Sequence, residues 1–465
     1  MIRETITENG AVRGLAADDP RVTAFYGIPF AAPPVGPNRW KAPKPCESWD
    51  GVRKCFEFGP ASMQDQPGVS GDIYCREFHV DPDIPVSEDS LYLNVWTPSK
   101  TMDEKLPVLV FIYGGSFQWG YASELEFCGT RLARHGIVVV TVSYRLGAFG
   151  FLAHPSLSKE DPAHPTNFGL LDQQAALAWV YKNIASFGGD PENITLAGQS
   201  AGGASVLFAM ADPDSAVMID KAAIFSGLIR NPFYFDDIIS PKKLSDAEQN
   251  GEEFIRFLGC SSIDEAREVD PITIVDIYKR FASDHPRFVP CIDGRFVKDD
   301  PYKLMLSGKL CDIPLLTGYT KDEFMDALPT SADETDDRIK ANVITKNGRK
   351  LINTVENTVR TVADARMRSN AKAPMYVYKF GPDIPGPDDP GAFHSCDLWF
   401  WFETIQKCWR PYKGTHYELA RRMCDSFSNF IRSGDPNGTG YDGVKLPEWK
   451  KISSKDVSDD EMVFS

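Results

Sequence analysis

The sequence predicts an α/β protein with a mostly parallel, doubly wound central sheet flanked by helices. Three observations carry that expectation. Leu106 to Tyr113 and Ile137 to Tyr144 are largely apolar runs of strand length, the character of strands buried on both faces. Strand-like and helix-like stretches alternate from residue 106 to residue 228. Asn193-Ile-Thr-Leu-Ala-Gly-Gln-Ser-Ala-Gly-Gly203 reads as strand, tight turn and helix in succession.

Bulk properties narrow the function. At 465 residues the chain has room for two or three domains, or for one large domain with insertions. A net charge of −15, from 50 basic and 65 acidic residues, argues against nucleic acid and anionic membrane partners. No run reaches the ~18 apolar residues of a membrane span. Charges at Arg3, Glu4 and Glu8 stand where a secretion signal has its apolar region, so a cytoplasmic protein is expected. The ten cysteines form no C-x-x-C pair and no metal-type spacing with the seven histidines. Free thiols and no metal site are therefore expected.

The elements follow in order. Thr7-Glu-Asn-Gly10 predicts a hairpin turn, with Ala11 to Leu15 returning. Phe25 to Gly36 is too rich in proline and glycine for a helix or central strand; it reads as a structural loop or the wall of a site. Glu88 to Thr97 alternates as a half-buried strand does. Glu124 to His135 has helical composition, and Asn167 to Ala185 predicts a helix with Leu170, Leu171, Gln174, Leu177, Ala178 and Tyr181 on one face. Phe187 to Pro191 is a turn, and Lys221 to Ser226 is the next strand. Residues 229–290 and 326–372 are helical and charged and read as insertions above the sheet's C-terminal edge, with strands at Asp312 to Gly318 and Ala373 to Phe380. Tyr417 to Ile431 is a last amphipathic helix.

The turn Gly198-Gln-Ser-Ala-Gly202 matches the G-x-S-x-G nucleophile elbow, with Ser200 at its centre. Gly198 and Gly202 would remove side chains where strand and helix approach closely. An elbow serine needs a base, a carboxylate to orient it, and donors for an oxyanion. In α/β-hydrolases the partners follow in the order acid, then histidine. After Ser200 come only His285, His394 and His416, and His394 alone lies in a loop leaving a strand. Asp322 and Glu323 both follow the strand ending at Gly318; residue type does not choose between them, and Asp326 is more remote. Gly114-Gly-Ser-Phe117, after the strand 106–113, together with Ala201, would supply backbone N–H donors.

Taken together, these residues closely resemble the type-B carboxylesterase family, which includes cholinesterases and bile-salt-activated lipases. The matching segments are Phe25 to Gly36, Ser87 to Trp96, Tyr113 to Phe117, Tyr144 to Phe151, Asn167 to Gln173, Phe187 to Pro191, the elbow, and Gly434 to Asn437. The resemblance implies a single α/β-hydrolase domain over 1–465, whose insertions at about 229–290 and 326–372 form lids or substrate walls. It implies a serine esterase without a cofactor: Ser200 the nucleophile, His394 the base, Glu323 the acid, and Gly115, Ser116 and Ala201 the oxyanion donors. Ser116 stands where the family often has glycine. Ser90 replaces a family cysteine, so the disulfide of secreted members cannot form there. Gln199 stands where cholinesterases have glutamate. The short insertions resemble microbial members.

The expected reaction is hydrolysis of small to medium esters with apolar or aromatic acyl groups, through an acyl-enzyme. A histidine base predicts activity rising with pH through roughly 6 to 7.5. Trp399, Phe400, Trp401 and Phe402 either wall the pocket or fill the core. The alternatives are a non-catalytic binding protein on the same fold, or an acyltransferase or lyase using the same three residues.

Overall fold

The apolar runs assemble into one large sheet. A computed structural model describes residues 1–230, 239–323, 354–454 and 456–465. The strands of this sheet are β1 (Leu15–Ala16), β2 (Thr23–Pro29), β3 (Tyr92–Thr97), β4 (Leu106–Ile112), β5 (Val138–Val142), β6 (Gly189–Gln199), β7 (Lys221–Phe225), β8 (Leu315–Thr320), β9 (Met375–Phe380) and β10 (Met462–Phe464). Their spatial order is β10-β9-β8-β7-β6-β4-β5-β3-β2-β1. Pairing is parallel from β10 through β5 and antiparallel at the β3, β2 and β1 edge. Val108 to Ile112 and Val138 to Val140 are at most 2% exposed, as helices on both faces require. Each such apolar side chain contributes about 1.5–3 kcal/mol by leaving water.

The flanking helices include α1 (Thr130–Ala133), α2 (Phe168–Asn183), α3 (Ala201–Ala211), α4 (Leu244–Phe257), α5 (Pro271–Phe281), α6 (Thr354–Arg368), α7 (Leu398–Trp401) and α8 (Gly414–Ser433). Helix α3 follows the elbow and is buried all round from Ala201 to Met210. Its small residues allow this: Gly203 lies so close to Gly227 that a Cβ would stand 2.8 Å from the Gly227 Cα. No helix among the described residues is long and apolar enough to cross a membrane. The ten cysteines are free.

Several expectations need correction. Phe25 to Pro29 lies within β2, which pairs with β3 along this stretch and with β1 only at Thr23 and Ala24. A register irregularity between Phe25 and Ile28 makes this possible. Gly27 takes φ +66° there and its N–H donates to Asn94 Oδ1 at 3.0 Å, off the ladder. Glu124 to His135 contains only the single turn α1, because Glu124 and Glu126 are buried rather than facing solvent as a helix's charged side would. On α2, Tyr181 is exposed, whereas Asp172, Gln173, Ala176, Trp179 and Val180 are buried. The buried face is rotated because Asp172 is drawn inside by Arg145, a polar contact that interrupts the apolar period. Strand β6 already begins at Gly189, after Gly188 turns the chain at φ +80°. The hairpin is as expected, with Thr7 opposite Gly10.

The described part of residues 229–290 is helical, with α4 and α5 joined through Ile263–Arg267. Within 326–372, α6 is the described helix; Asp326 lies outside the described residues. Trp399 to Phe402 are buried core. Trp401 stacks on Phe225 at 5.2 Å and meets Tyr378 edge-on at 4.9 Å.

Candidate active site

Ser200 sits where β6 ends and α3 begins, at φ 55° and ψ −124°. A serine in that region is strained by about 1–3 kcal/mol, and the surrounding contacts hold it there. Its N–H donates to Phe225 O at 2.9 Å, and its carbonyl accepts from Ala204 N at 2.9 Å. The flanking glycines are sterically required. A Cβ on Gly198 would lie 2.2 Å from Gly202 O, and one on Gly202 would lie 2.1 Å from Ile112 O.

Beside the elbow runs the loop after β4. A Cβ on Gly114 would meet Gln199 Oε1 at 2.6 Å and Ser200 Cβ at 3.0 Å, so only glycine fits against the serine. Gly115, Ser116 and Phe117 follow with φ of 91°, 56° and 60°. Gln118 N and Trp119 N both donate to Gly115 O, at 2.8 and 3.0 Å, and Gly147 N donates to Phe117 O at 2.7 Å. Among the described residues, the N–H groups of Gly115, Ser116 and Ala201 have no acceptor. The loop is thus fixed while three donors remain uncommitted.

His394 is 3% exposed and comes from the loop after β9. Its Nδ1 is hydrogen-bonded to Glu323 Oε2, and Glu323 Oε1 accepts from Thr320 N at 2.9 Å. The two neighbouring carboxylates have different partners. Glu323 pairs with the imidazole, whereas Asp322 Oδ2 accepts from Ala392 N at 2.8 Å and pins the loop that carries it. The two other histidines that follow Ser200 have partners elsewhere. His285 stacks on Phe281 at 4.0 Å, and His416 accepts from Lys413 N at 3.0 Å at the start of α8.

One contact and one neighbour are not legible in the sequence. The Gln199 amide nitrogen lies 3.2 Å from His394 Nε2 and donates to Ser395 Oγ at 2.6 Å. Its place beside Ser200 was the signal, but nothing in a linear sequence shows that it reaches the histidine. Asp397 lies fully buried near the same loop, accepting from Tyr378 Oη at 2.7 Å and Trp401 Nε1 at 3.1 Å. Burial pushes its carboxyl up to about 6, with Glu323 adding to the rise while the Tyr378 hydrogen bond opposes it.

A cavity of about 260 Å³ adjoins the loop after β4, lined by Met63, Trp119, Leu146, Phe149, Val275 and Tyr278 among others. Helix α5 closes one side: Tyr278 Oη donates to Gln118 Oε1 at 2.7 Å. Ser200 and His394 do not line this cavity.

The sequence model of the carboxylesterase family matches residues 3–358 and 334–462. The chain belongs to that family. As a carboxylesterase-family member it is 32% identical over 466 residues to the para-nitrobenzyl esterase of Bacillus subtilis (strain 168), covering 93% of this chain and 90% of the relative. It is 36% identical over 329 residues to the fumonisin B1 esterase of Sphingopyxis macrogoltabida, covering 70% of this chain and 57% of that protein. It is 38% identical over 335 residues to the cholinesterase of Mus musculus, covering 68% and 53%. The chain thus spans little more than half the length of the last two. Among solved structures, a PNB esterase superposes with a TM-score of 0.79 at 29% identity, covering 94% of this chain and 92% of that one. A Geobacillus stearothermophilus carboxylesterase gives 0.76 at 30% identity, covering 96% and 94%. The fold is that of the α/β-hydrolases, and family and relatives support a carboxylic ester hydrolase.

Proposed function

We propose that this carboxylesterase-family chain cleaves carboxylic esters through an acyl-enzyme on Ser200. The observation that carries the reading is the buried Glu323–His394 pair beside a strained serine elbow. Ser200 Oγ attacks the ester carbonyl as His394 Nε2 takes its proton. Glu323 holds Nδ1–H, fixes the tautomer and stabilises the imidazolium that forms. The N–H groups of Gly115, Ser116 and Ala201 take the oxyanion, needing no rearrangement because they are not engaged elsewhere. The alcohol leaves with the proton from His394. Water, deprotonated by the same imidazole, then releases the acid and restores Ser200.

We assign small to medium esters with apolar or aromatic acyl groups. In the cavity beside the loop after β4, Met63, Leu146, Phe149 and Val275 offer an apolar surface next to the polar Gln64, Asp65, Lys279 and Arg287, with the helices of 229–290 acting as a substrate wall. The test is p-nitrophenol release across acetate to decanoate esters, with Ser200→Ala in parallel. The reading requires turnover by the native chain, a preference along the series, and a loss of about 10³-fold or more in the variant. Hydrolysis unaffected by Ser200→Ala refutes it. No turnover of any ester favours a binding protein, and ester product formed only with added alcohol favours an acyltransferase.

A further inference from the structure

On another part of the molecule, three side chains of different donor type converge from distant points in the chain. His135 follows α1, Glu403 follows α7, and Cys424 lies in α8. Cys424 Sγ is 3.8 Å from His135 Nε2, and Glu403 Oε2 is 3.9 Å from the same nitrogen. All three donor atoms lie within 4.8 Å of one another. In tetrahedral zinc, with Zn–S about 2.3 Å and Zn–N and Zn–O about 2.0–2.1 Å, the N···S and N···O edges are roughly 3.3–3.6 Å. The two separations to His135 Nε2 exceed those edges by roughly 0.2–0.6 Å and the Cys424–Glu403 edge by at most about 1.2 Å, a contraction that the half-buried Glu403 side chain supplies by its torsions.

The second nitrogen of the imidazole is placed as in a metal site. His135 Nδ1 lies 3.4 Å from Asp425 Oδ1, and that oxygen is itself fixed by Tyr441 N at 2.9 Å. A carboxylate facing the far nitrogen favours the tautomer with the proton on Nδ1, which leaves Nε2 as a ligand. Asp425 is 3% exposed and the His135 side chain 8%, so the imidazole is held rather than free to rotate. Thiolate, imidazole and carboxylate together select a borderline ion such as zinc over magnesium or calcium, which prefer oxygen alone.

We propose that His135, Glu403 and Cys424 bind one divalent ion of the zinc class, with Asp425 orienting the imidazole and a water as the fourth ligand. On binding, Cys424 releases its thiol proton to solvent and the sulfur lone pair forms the metal bond. The ion ties α8 to the segment after α7 and to the end of α1. His135 and Cys424 are 289 positions apart, so the clip closes a very long loop and acts as a staple for the fold. Spacing in the sequence could not reveal it, because each ligand comes from a different part of the chain.

The test starts with the full chain dialysed against a chelator and then titrated with Zn²⁺ in competition with a chromophoric chelator. One equivalent is expected to bind per chain and to raise Tm. Cys424→Ser, His135→Gln and Glu403→Gln each weaken binding by more than about 100-fold, and Asp425→Asn by about 10–100-fold. Co²⁺ gives a thiolate charge-transfer band in the native chain that Cys424→Ser lacks. Cys46→Ser, at a partly buried thiol elsewhere, leaves all of this unchanged. Glu403→Gln alters the most exposed of the three ligands, so it decides the matter if Cys424→Ser does not fold. Absence of a stoichiometric ion, or binding indifferent to the ligand substitutions that fold, overturns the proposal.

Discussion

Two buried ionisable pairs, Glu323–His394 and Asp172–Arg145, are equally removed from water yet suited to opposite tasks. Asp172 accepts from Arg145 Nε at 2.8 Å, Nη2 at 2.7 Å and the Arg145 backbone N at 3.0 Å. Its partner is a permanent cation, so no proton can be exchanged and the contact only fixes α2 against the segment after β5. Glu323 divides its oxygens between the Thr320 N–H and an imidazole whose other nitrogen faces the Gln199 amide beside Ser200. Burial of charge therefore does not mark chemistry. What separates the two pairs is a titratable partner whose second nitrogen faces the Gln199 amide at the elbow.

Substitutions can break this contrast from either side. The largest effect belongs to Glu323→Gln, which removes the charge that orients and stabilises the imidazole. We expect kcat/KM to fall by about 10³–10⁴ with Tm nearly unchanged, read by steady-state kinetics beside thermal melting. Asp172→Ala should do the reverse. It strands the Arg145 guanidinium in the core and costs about 3–5 kcal/mol in urea unfolding, while kcat per folded molecule stays near the native value.

A smaller effect sharpens the comparison at Asp397, a buried acid that pairs with neither base nor cation. Its folded carboxyl titrates at about 6, above the usual carboxylate value near 4. Folding therefore favours the protonated form. That contribution is fully present below the unfolded value and is lost as pH rises through about 6, with a span of about 3 kcal/mol. Unfolding of native and Asp397→Asn chains between pH 4 and 7.5 should show the difference shifting toward the variant by up to that amount; a constant difference contradicts it. The smallest effect is at Gln199→Glu. A carboxylate next to His394 Nε2 favours the imidazolium, so the acid limb of the kcat/KM profile should move to higher pH while activity on the alkaline side persists.

Much of this was readable in the sequence because the responsible physics is local. The elbow glycines answer to steric contacts a few residues apart, and the apolar runs of β4 and β5 declare burial directly. The histidine that meets Glu323 lies in the loop after a strand where the sequence placed the candidate base. Which carboxylate meets it was not legible: Asp322 and Glu323 are adjacent in the same chemical setting, and only the tertiary arrangement brings one to the imidazole and the other to the loop. The misread face of α2 and the strand through Phe25 to Pro29 have one cause. Each departs from a local rule because a distant partner, Arg145 or the edge of β3, supplies what the local sequence lacks. The Gln199–His394 contact and the convergence of His135, Glu403 and Cys424 are of the same kind.

Everything proposed for the site depends on Ser200 Oγ being the acylated atom. Reaction with a slowly deacylating p-nitrophenyl ester, acid quenching and peptide mass mapping tests this directly. The account predicts one p-nitrophenolate released in a burst per chain, the acyl mass on the peptide containing Ser200, and neither with Ser200→Ala. Sustained ester turnover with the label on another residue, or retained in the Ser200→Ala chain, would contradict it.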